Sequence, residues 1–224
     1  MLLGGYFTSL LPNSLRFSQM AQLVQTPITG VLEIFPKKFR DNRGYFFESY
    51  RNDWFDDVKL DHGWIQDNQS FSTAGTVRGL HFQRGEFSQA KLVRVIQGSV
   101  LDVAVDLRKG SPTFGQSYTT VLDAERSNLL YVPIGFAHGF SVLEDAIFVY
   151  KCSNYYHKAS EGGILWNDVE LAIDWKVKAP IISEKDEQLQ CIVSAQHTPF
   201  GKAQVPTLTD FADGVDTMEF LGEL

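Results

Sequence analysis

From Ile28 onwards the chain carries short runs in which apolar or β-branched residues recur, often at every second position. Gly, Pro, Asn and Asp separate these runs, which is typical of strands joined by tight turns. Helix signals are scarce: there is one short candidate at 51–58, and no repeat of fixed period is visible. Many short strands with few helices predict an all-β sandwich, jelly roll or barrel. The predicted strands are 30–36, 44–50, 64–72, 77–83, 90–97, 99–107, 117–122, 129–133, 138–143 and 146–152.

The two ends of the chain lack this pattern. In residues 1–19 the only charge, Arg16, follows the apolar stretch, whereas a signal peptide carries its basic residues ahead of it. We interpret 1–19 as a tail or an upstream start, with a targeting segment as the alternative. The predicted domain covers residues 20–190. The charged residues after it are nearly all acidic, so we interpret 191–224 as an acidic C-terminal extension. A short amphipathic helix is expected within it at 208–222.

Composition narrows the class of protein. A hydrophobic fraction of 44% with 21% charged residues describes an ordinary globular domain. The net charge of −7 argues against a nucleic-acid partner, and no apolar run approaches the roughly 20 residues of a membrane span. Cys152 and Cys191 are too few for a disulfide framework and have no metal-binding spacing, which predicts a cytoplasmic location.

Two polar motifs interrupt the apolar strands. His81 and Gln83 precede Lys91, and a second motif, Pro-x-Gly-x-x-His, ends at His138. The pair resembles the two motifs of the cupin superfamily, whose metal-binding members carry His-x-His followed by Glu. Here Gln83 and Lys91 stand where two of those ligands would be, and an ammonium group repels a divalent cation. We therefore predict no bound metal.

The same groups suit a different chemistry. The imidazoles of His81 and His138 can exchange protons near neutral pH, and the Lys91 ammonium can donate to an oxygen that becomes anionic. These groups could remove a proton from a carbon beside a carbonyl group and stabilise the resulting enolate. The alternative is that both histidines are satisfied core residues.

Further polar side chains favour a ligand-binding cavity. Arg43 suits phosphate oxygens and Glu48 suits sugar or base N–H and O–H groups, although both could form a surface salt bridge. Gln66 and Asn68 begin a polar row of period two, which places their neutral side chains on one face of a strand. Arg78 adds a positive charge three residues before His81.

The C-terminal part of the predicted domain contributes phenols and a carboxylate. Tyr150 could act as a general acid and Tyr156 as a stacking surface, or both could be ordinary core and rim aromatics. Asp186 follows Lys185, and an aspartate that reaches a histidine orients it and raises its basicity. The spacing alone does not show that it does so.

Taken together, the motifs closely resemble those of the dTDP-4-dehydrorhamnose 3,5-epimerase family. The resemblance runs from about Gly30 to Leu189 and leaves both tails outside. It rests on DNRGYFFESY, QDNQS, TVRGLHFQ, QAKLVRV, GSVLDVAVDLRKGSPTFG, LYVPIGFAHGF, VYKCSNYY, ILWNDVELAIDW and ISEKD.

The resemblance implies a role for each matching residue. His81 corresponds to the catalytic base, with Asp186 as its partner, and Tyr150 to the general acid on the opposite face of the sugar. Lys91 and His138 correspond to the residues near the C4 carbonyl oxygen. Tyr156 corresponds to the tyrosine that stacks on thymine, and the remaining nucleotide-sugar contacts correspond to Arg43, Glu48, Gln66, Asn68, Arg78, Glu161 and Lys185.

The resemblance also implies a cupin-like jelly-roll homodimer that needs neither metal nor cofactor. We expect an isomerase that inverts C3 and C5 of dTDP-4-dehydro-6-deoxy-D-glucose in dTDP-L-rhamnose biosynthesis. One alternative is an epimerase acting at a single centre of a related dTDP-4-keto-deoxysugar. Another is a non-catalytic nucleotide-sugar-binding cupin, but such a protein has no need of the acid–base pair His81 and Tyr150.

Overall fold

The structure, a computed structural model, describes residues 16–17, 20–55 and 63–192. Within these residues the chain is mostly strand, with one short helix, α1 (Glu184–Glu187), and 3-10 turns at Asn52–Trp54, Gly85–Phe87 and Lys158–Ser160. The strands are β1 (Arg16–Phe17), β2 (Ala21–Gln25), β3 (Leu32–Pro36), β4 (Phe39–Asp41), β5 (Gly44–Phe46), β6 (Gln66–Ser72), β7 (Val77–Gln83), β8 (Lys91–Asp106), β9 (Ser117–Asp123), β10 (Leu129–Val132), β11 (Phe136–Cys152) and β12 (Glu161–Gly163).

Ten of the strands form one hydrogen-bonded sheet, which the long strands β8 and β11 divide into two halves, called here the first and the second sheet. The first sheet runs β1-β2-β3-β10, then the first half of β8, the second half of β11, and β6. The second runs β9, the second half of β8, the first half of β11, β7 and β12. All of these pairs are antiparallel, and β4 and β5 form a separate hairpin. This arrangement confirms the predicted all-β, cupin-like jelly roll.

The bend in β8 lies at Gly98, which has a φ of +72°. A Cβ atom there would lie 2.2 Å from the carbonyl oxygen of Asp145 on β11, so only glycine allows the two strands to approach this closely. The sequence predicted separate strands at 90–97 and 99–107, and again at 138–143 and 146–152, and this separation was wrong. Each pair is a single strand, because the chain bends without ending its ladder of hydrogen bonds.

Other predicted boundaries also change. Strand β2 was not predicted, the run at 44–50 shortens to β5, and the candidate helix 51–58 is a single 3-10 turn as far as residue 55. Strand β1 pairs with β2, so the sheet begins inside the predicted tail. The rest of that tail and the expected helix at 208–222 lie outside the described residues.

Apolar side chains fill the space between the two sheets and cover their outer faces. The interior cluster includes Val93 and Val95 before the bend and Val100 and Ala104 after it. The outer face of the second sheet is covered by the segment 164–192, and that of the first sheet by aromatic side chains, namely Tyr50, Trp54, Phe55 and Trp64. None of the helices in the described ranges has the length and apolar character needed to cross a membrane.

Candidate active site

The inward-facing polar positions form a cavity of about 300 Å³ between the sheets. Strand β6 contributes Gln66 and Asn68 at alternate positions, and β7 contributes His81 and Gln83 in the same way. The predicted residues on this wall are joined by several that were not predicted. The full lining is Gln66, Asn68, His81, Phe82, Gln83, Gln89, Lys91, Tyr150, Cys152, Tyr156 and Glu161.

His81 and Asp186 form a hydrogen-bonded pair at one side of this cavity. The distance from His81 Nε2 to Asp186 Oδ1 is 2.6 Å, and the Gly79 N–H donates to the other carboxylate oxygen at 3.3 Å. Helix α1 positions the aspartate, because the Ser183 hydroxyl at its N-cap accepts a hydrogen bond from the Asp186 N–H.

The environment keeps the Asp186 carboxylate charged. Burial raises the pKa of Asp186, but the hydrogen bonds and charge of His81 and the Gly79 N–H outweigh that effect and hold the pKa below its ordinary value of 3.8. A charged carboxylate bound to one ring nitrogen orients the imidazole, so that the other nitrogen can accept a proton.

A second imidazole–carboxylate pair lies beside the first. His138 on β11 is the cross-strand neighbour of His81, and its Nε2 lies 3.0 Å and 3.1 Å from the two oxygens of Asp102 on β8. Both side chains are buried. Burial lowers the pKa of His138, and the neighbouring Lys91 and His81 act in the same direction, while Asp102 opposes them. His138 is therefore held towards its neutral form.

Asp102 was missed by the sequence interpretation. It is the first of two carboxylates in the largely apolar run SVLDVAVDL, and it lies between inward-facing Val100 and Ala104. An acidic residue at an inward position of a buried strand requires a partner. That signal could have identified it as the partner of a cavity histidine.

Lys91 and Tyr150 complete the reactive groups of the cavity. Burial lowers the pKa of Lys91, whereas the nearby Cys152, Asp102 and Glu161 raise it. Burial also raises the pKa of Tyr150 above 10.0, so its phenol keeps its proton at neutral pH and can donate it.

Charged and aromatic groups form the rim. Glu161 accepts hydrogen bonds from Lys185 Nζ at 2.5 Å and from the Tyr156 hydroxyl at 3.0 Å. Burial raises the pKa of Glu161, but these two partners outweigh it and lower the pKa overall. The Tyr156 N–H donates to Gln66 Oε1 at 3.0 Å, which ties the rim to β6. Arg78 lies on β7 and donates from Nε to the Ser72 hydroxyl at 2.9 Å.

Six predicted residues are absent from this lining: Asp186, His138, Arg78 and Lys185, whose partners are described above, and Arg43 and Glu48. Arg43, in the turn between β4 and β5, pairs with Asp41 at 2.6 Å, and its side chain is 85% exposed. Glu48 pairs with Arg51 at 3.3 Å. Neither Arg43 nor Glu48 belongs to the cavity lining of its own chain.

The site combines proton-transfer groups with a hydrogen-bond donor. One imidazole is bound to a charged carboxylate, a phenol retains its proton, and the amino group of Lys91 stands between polar walls. Among the described residues, no three His, Cys, Asp or Glu side chains gather in an arrangement that could hold a metal ion. Both cysteines are free thiols.

Comparison with known proteins gives one family. The family model for dTDP-4-dehydrorhamnose 3,5-epimerase matches residues 25–193. The dTDP-4-dehydrorhamnose 3,5-epimerase of Shigella flexneri is 48% identical over 177 residues, which cover 78% of this chain and 98% of that protein.

Solved structures agree with this result. A dTDP-6-deoxy-D-glucose-3,5-epimerase from Legionella pneumophila, in complex with dTDP-4-keto-L-rhamnose, matches with a TM-score of 0.77 and 39% identity over 84% of this chain and 98% of that one. A 3'-monoepimerase from Streptomyces bikiniensis, in complex with dTDP-quinovose, matches with a TM-score of 0.75 and 32% identity over 84% of this chain and 94% of that one. The resemblance of the sequence motifs is thereby confirmed, and the chain belongs to the dTDP-4-dehydrorhamnose 3,5-epimerase family.

Proposed function

We propose that the chain inverts C3 and C5 of dTDP-4-dehydro-6-deoxy-D-glucose and gives dTDP-4-dehydro-L-rhamnose, in dTDP-L-rhamnose biosynthesis. The observation that carries this proposal is the cavity in which the His81–Asp186 pair, Tyr150 and Lys91 meet. This set supplies a base, an acid and an oxyanion donor, the three groups that epimerisation beside a ketone requires.

The first step is proton removal from carbon. His81 accepts the proton from C3 or C5, and the electron pair of the broken C–H bond moves into an enolate whose charge lies on the C4 oxygen. Lys91 donates a hydrogen bond to that oxygen, and one such donor contributes about 3–4 kcal/mol to the stability of the transition state. We assign His138, with its ring fixed by Asp102, to a position beside Lys91 at the same oxygen.

The second step returns a proton to the opposite face. Tyr150 donates its phenolic proton to the carbon, the C=C bond of the enolate closes back to the C4 ketone, and the centre is inverted. The raised pKa of Tyr150 supports this role, because the phenol is protonated when the enolate forms. A positioned acid or base contributes roughly 10²–10⁴ in rate. Without Tyr150, reprotonation from His81 would restore the original configuration.

Substrate recognition is assigned to the cavity wall and its rim. We propose that Gln66 and Asn68 contact the nucleotide sugar and that Tyr156 stacks on the thymine ring. The positive charges of Arg78 and Lys185 suit the diphosphate oxygens. Glu161 suits a hydroxyl group of the substrate, since a carboxylate accepts hydrogen bonds.

A homodimer would explain the positions of Arg43 and Glu48. The hairpin β4–β5 exposes Phe39, Tyr45 and Phe46, whose exposed fractions are 42%, 56% and 65%. Exposed aromatic clusters of this kind are typical of protein interfaces. We propose that the hairpin of one subunit reaches the cavity of the other and brings Arg43 and Glu48 to the nucleotide. We also propose a cytoplasmic location, which suits an enzyme with two free thiols.

Epimerisation at a single centre is the alternative function. It is favoured by the structural similarity to the 3'-monoepimerase, with its TM-score of 0.75. The identity is 32% to that protein but 48% to the Shigella 3,5-epimerase, which supports inversion at both centres. A non-catalytic binding protein is disfavoured, since binding does not require the acid–base groups of the cavity.

Deuterium incorporation tests the proposal. The protein is incubated with the 4-keto sugar nucleotide in D₂O, and mass spectrometry follows deuterium at C3 and C5. We expect uptake at both carbons; uptake at one would support the single-centre alternative, and none would exclude catalysis.

Variants then test the assigned roles. His81→Asn should abolish exchange at both carbons, whereas Tyr150→Phe should permit exchange but impair inversion. The matched control is His157→Asn, because His157 stacks on Phe87 outside the cavity lining. Exchange that survives in His81→Asn would show that the base is another residue.

A further inference from the structure

Gln83 is a buried side chain of the cavity wall with no role in the steps above. It follows His81 by two positions on β7, so the two side chains point to the same side of the strand, about 7 Å apart along it. Its exposed fraction is only 6%. Neither Oε1 nor Nε2 of Gln83 has a hydrogen-bond partner among the residues that the structure describes.

The neighbouring glutamines of the same cavity are engaged. Gln66 donates to Asn68 Oδ1 at 2.9 Å and accepts from the Tyr156 N–H, and Gln89 donates to the carbonyl oxygen of Asn154 at 2.6 Å. A buried polar group without a partner is destabilising, because it has lost its hydrogen bonds to water. Gln83 carries two such atoms on the wall of a cavity, where a ligand can satisfy both.

The chemistry of the amide indicates which part of a ligand it meets. One donor and one acceptor without net charge match adjacent hydroxyl groups, whereas the diphosphate calls for cations such as Lys185. Glu161 of the rim is the cross-strand partner of Gln83, and Gly163 is that of His81. Gln83 therefore lies level with the rim residue Glu161 and about 7 Å along the strand from the catalytic base, so that a hexose ring seated between these two levels could contact it.

We propose that Gln83 is a substrate-binding residue that holds hydroxyl groups of the hexose, with Oε1 accepting from one hydroxyl and Nε2 donating to its neighbour. This inference rests on the proposed function, since it places the hexose beside His81. It gives a reason for glutamine at a position where a metal-binding cupin carries a histidine.

Gln83→Met tests the proposal, because methionine has a similar length and lacks both hydrogen-bonding atoms. The kcat/KM for the 4-keto sugar nucleotide should fall about tenfold, which corresponds to about 1.4 kcal/mol. The inhibition constant of dTDP, which has no hexose, should stay within about twofold. The melting temperature should be unchanged or higher, because the substitution breaks no hydrogen bond within the protein.

The control is Gln116→Met, at an exposed position before β9, which should leave both constants unchanged. An unchanged kcat/KM in Gln83→Met would overturn the proposal, and so would an equal loss of dTDP binding or a lowered melting temperature. Failure of the proposed function would show itself separately, as a wild-type protein that incorporates no deuterium. In that case, calorimetric titrations of dTDP-glucose and dTDP would still test Gln83, since only the affinity for the former should fall.

Discussion

The two imidazole–carboxylate pairs use the same residue types in different surroundings. The His81 side chain is 28% exposed towards the cavity, whereas that of His138 is 6% exposed and its partner Asp102 is fully buried. A base that takes protons from a substrate must face the cavity, and the His81 ring is the more exposed of the two. The difference in burial therefore favours His81 over His138 as the base of the proposed reaction.

Burial of His138 makes the stability of the protein depend on pH. Its pKa is lowered from 6.5 in the folded protein, so the unfolded chain binds a proton first as the pH falls. The free energy of unfolding should therefore fall as the pH drops through 6.5, by up to about 1.4 kcal/mol for each unit of the pKa difference. Urea unfolding about one unit above and one unit below this value measures the loss.

The variant His138→Gln provides the comparison for this measurement. Because it cannot titrate, its free energy of unfolding should change less between the two pH values than that of the wild-type protein. Equal changes in both proteins would show that the His138 ring takes up a proton as readily in the folded state as in the unfolded one.

The residues of the site could largely be identified from the sequence, but their contacts could not. The cavity lining includes His81, Lys91 and Tyr150, as the motifs predict. Asp186 contacts His81 although 105 positions separate the two residues in the sequence, a contact that sequence spacing cannot predict. Asp102 was missed because apolar residues occupy nearly every position around it in the run SVLDVAVDL, so that alternation does not show which of these residues face inwards.

At the level of elements, the bend in β8 determines which side chains face the cavity. Lys91 and Asp102 are an odd number of residues apart, so a regular strand would direct them to opposite faces. Both point inwards because the inward positions shift between Val95 and Val100. The alternation in the sequence predicts both halves of the strand correctly, but the continuity through Gly98 is a tertiary property that depends on contact with β11.

Replacement of Gly98 tests the importance of the bend. Gly98→Ala introduces a Cβ atom 2.2 Å from the Asp145 oxygen and strains a φ of +72°. The free energy of unfolding should decrease by about 1–3 kcal/mol or more. The folded fraction should also lose activity, since the bend directs both Lys91 and Asp102 inwards.

The matched control for this change is Gly110→Ala. Gly110 has a φ of +86°, but no atom lies within 4 Å of the added Cβ. Its replacement therefore introduces backbone strain without a steric clash. Urea unfolding should show a clearly larger loss for Gly98→Ala. Similar losses at the two positions would mean that the close approach of β8 and β11 contributes nothing beyond the strain.

At the level of the whole molecule, the proposed dimer makes a prediction about mixed subunits. Arg43→Ala and His81→Asn should each be inactive alone. If Arg43 serves the partner's cavity, a hybrid of the two variants contains one site with both native residues. After random exchange of subunits, about a quarter of the wild-type activity should return.

The controls for this experiment concern assembly. Light scattering coupled to size-exclusion chromatography should give the mass of two chains for the wild-type protein and for both variants. Mixing Lys91→Met with His81→Asn should restore no activity, because both residues line the cavity of one chain. If the mixture of Arg43→Ala and His81→Asn is dimeric but recovers no activity, Arg43 does not serve the cavity of the partner subunit.

The passage of β8 and β11 through both sheets has a consequence for the way activity is lost. Lys91 and Tyr150 stand on the halves of these strands in the first sheet, and Asp102 and His138 on the halves in the second. The two sheets cannot separate without disrupting β8 and β11, the strands that carry these four residues. Partial unfolding that spares the catalytic geometry is therefore disfavoured. Heat inactivation and global unfolding are expected to coincide as one cooperative transition.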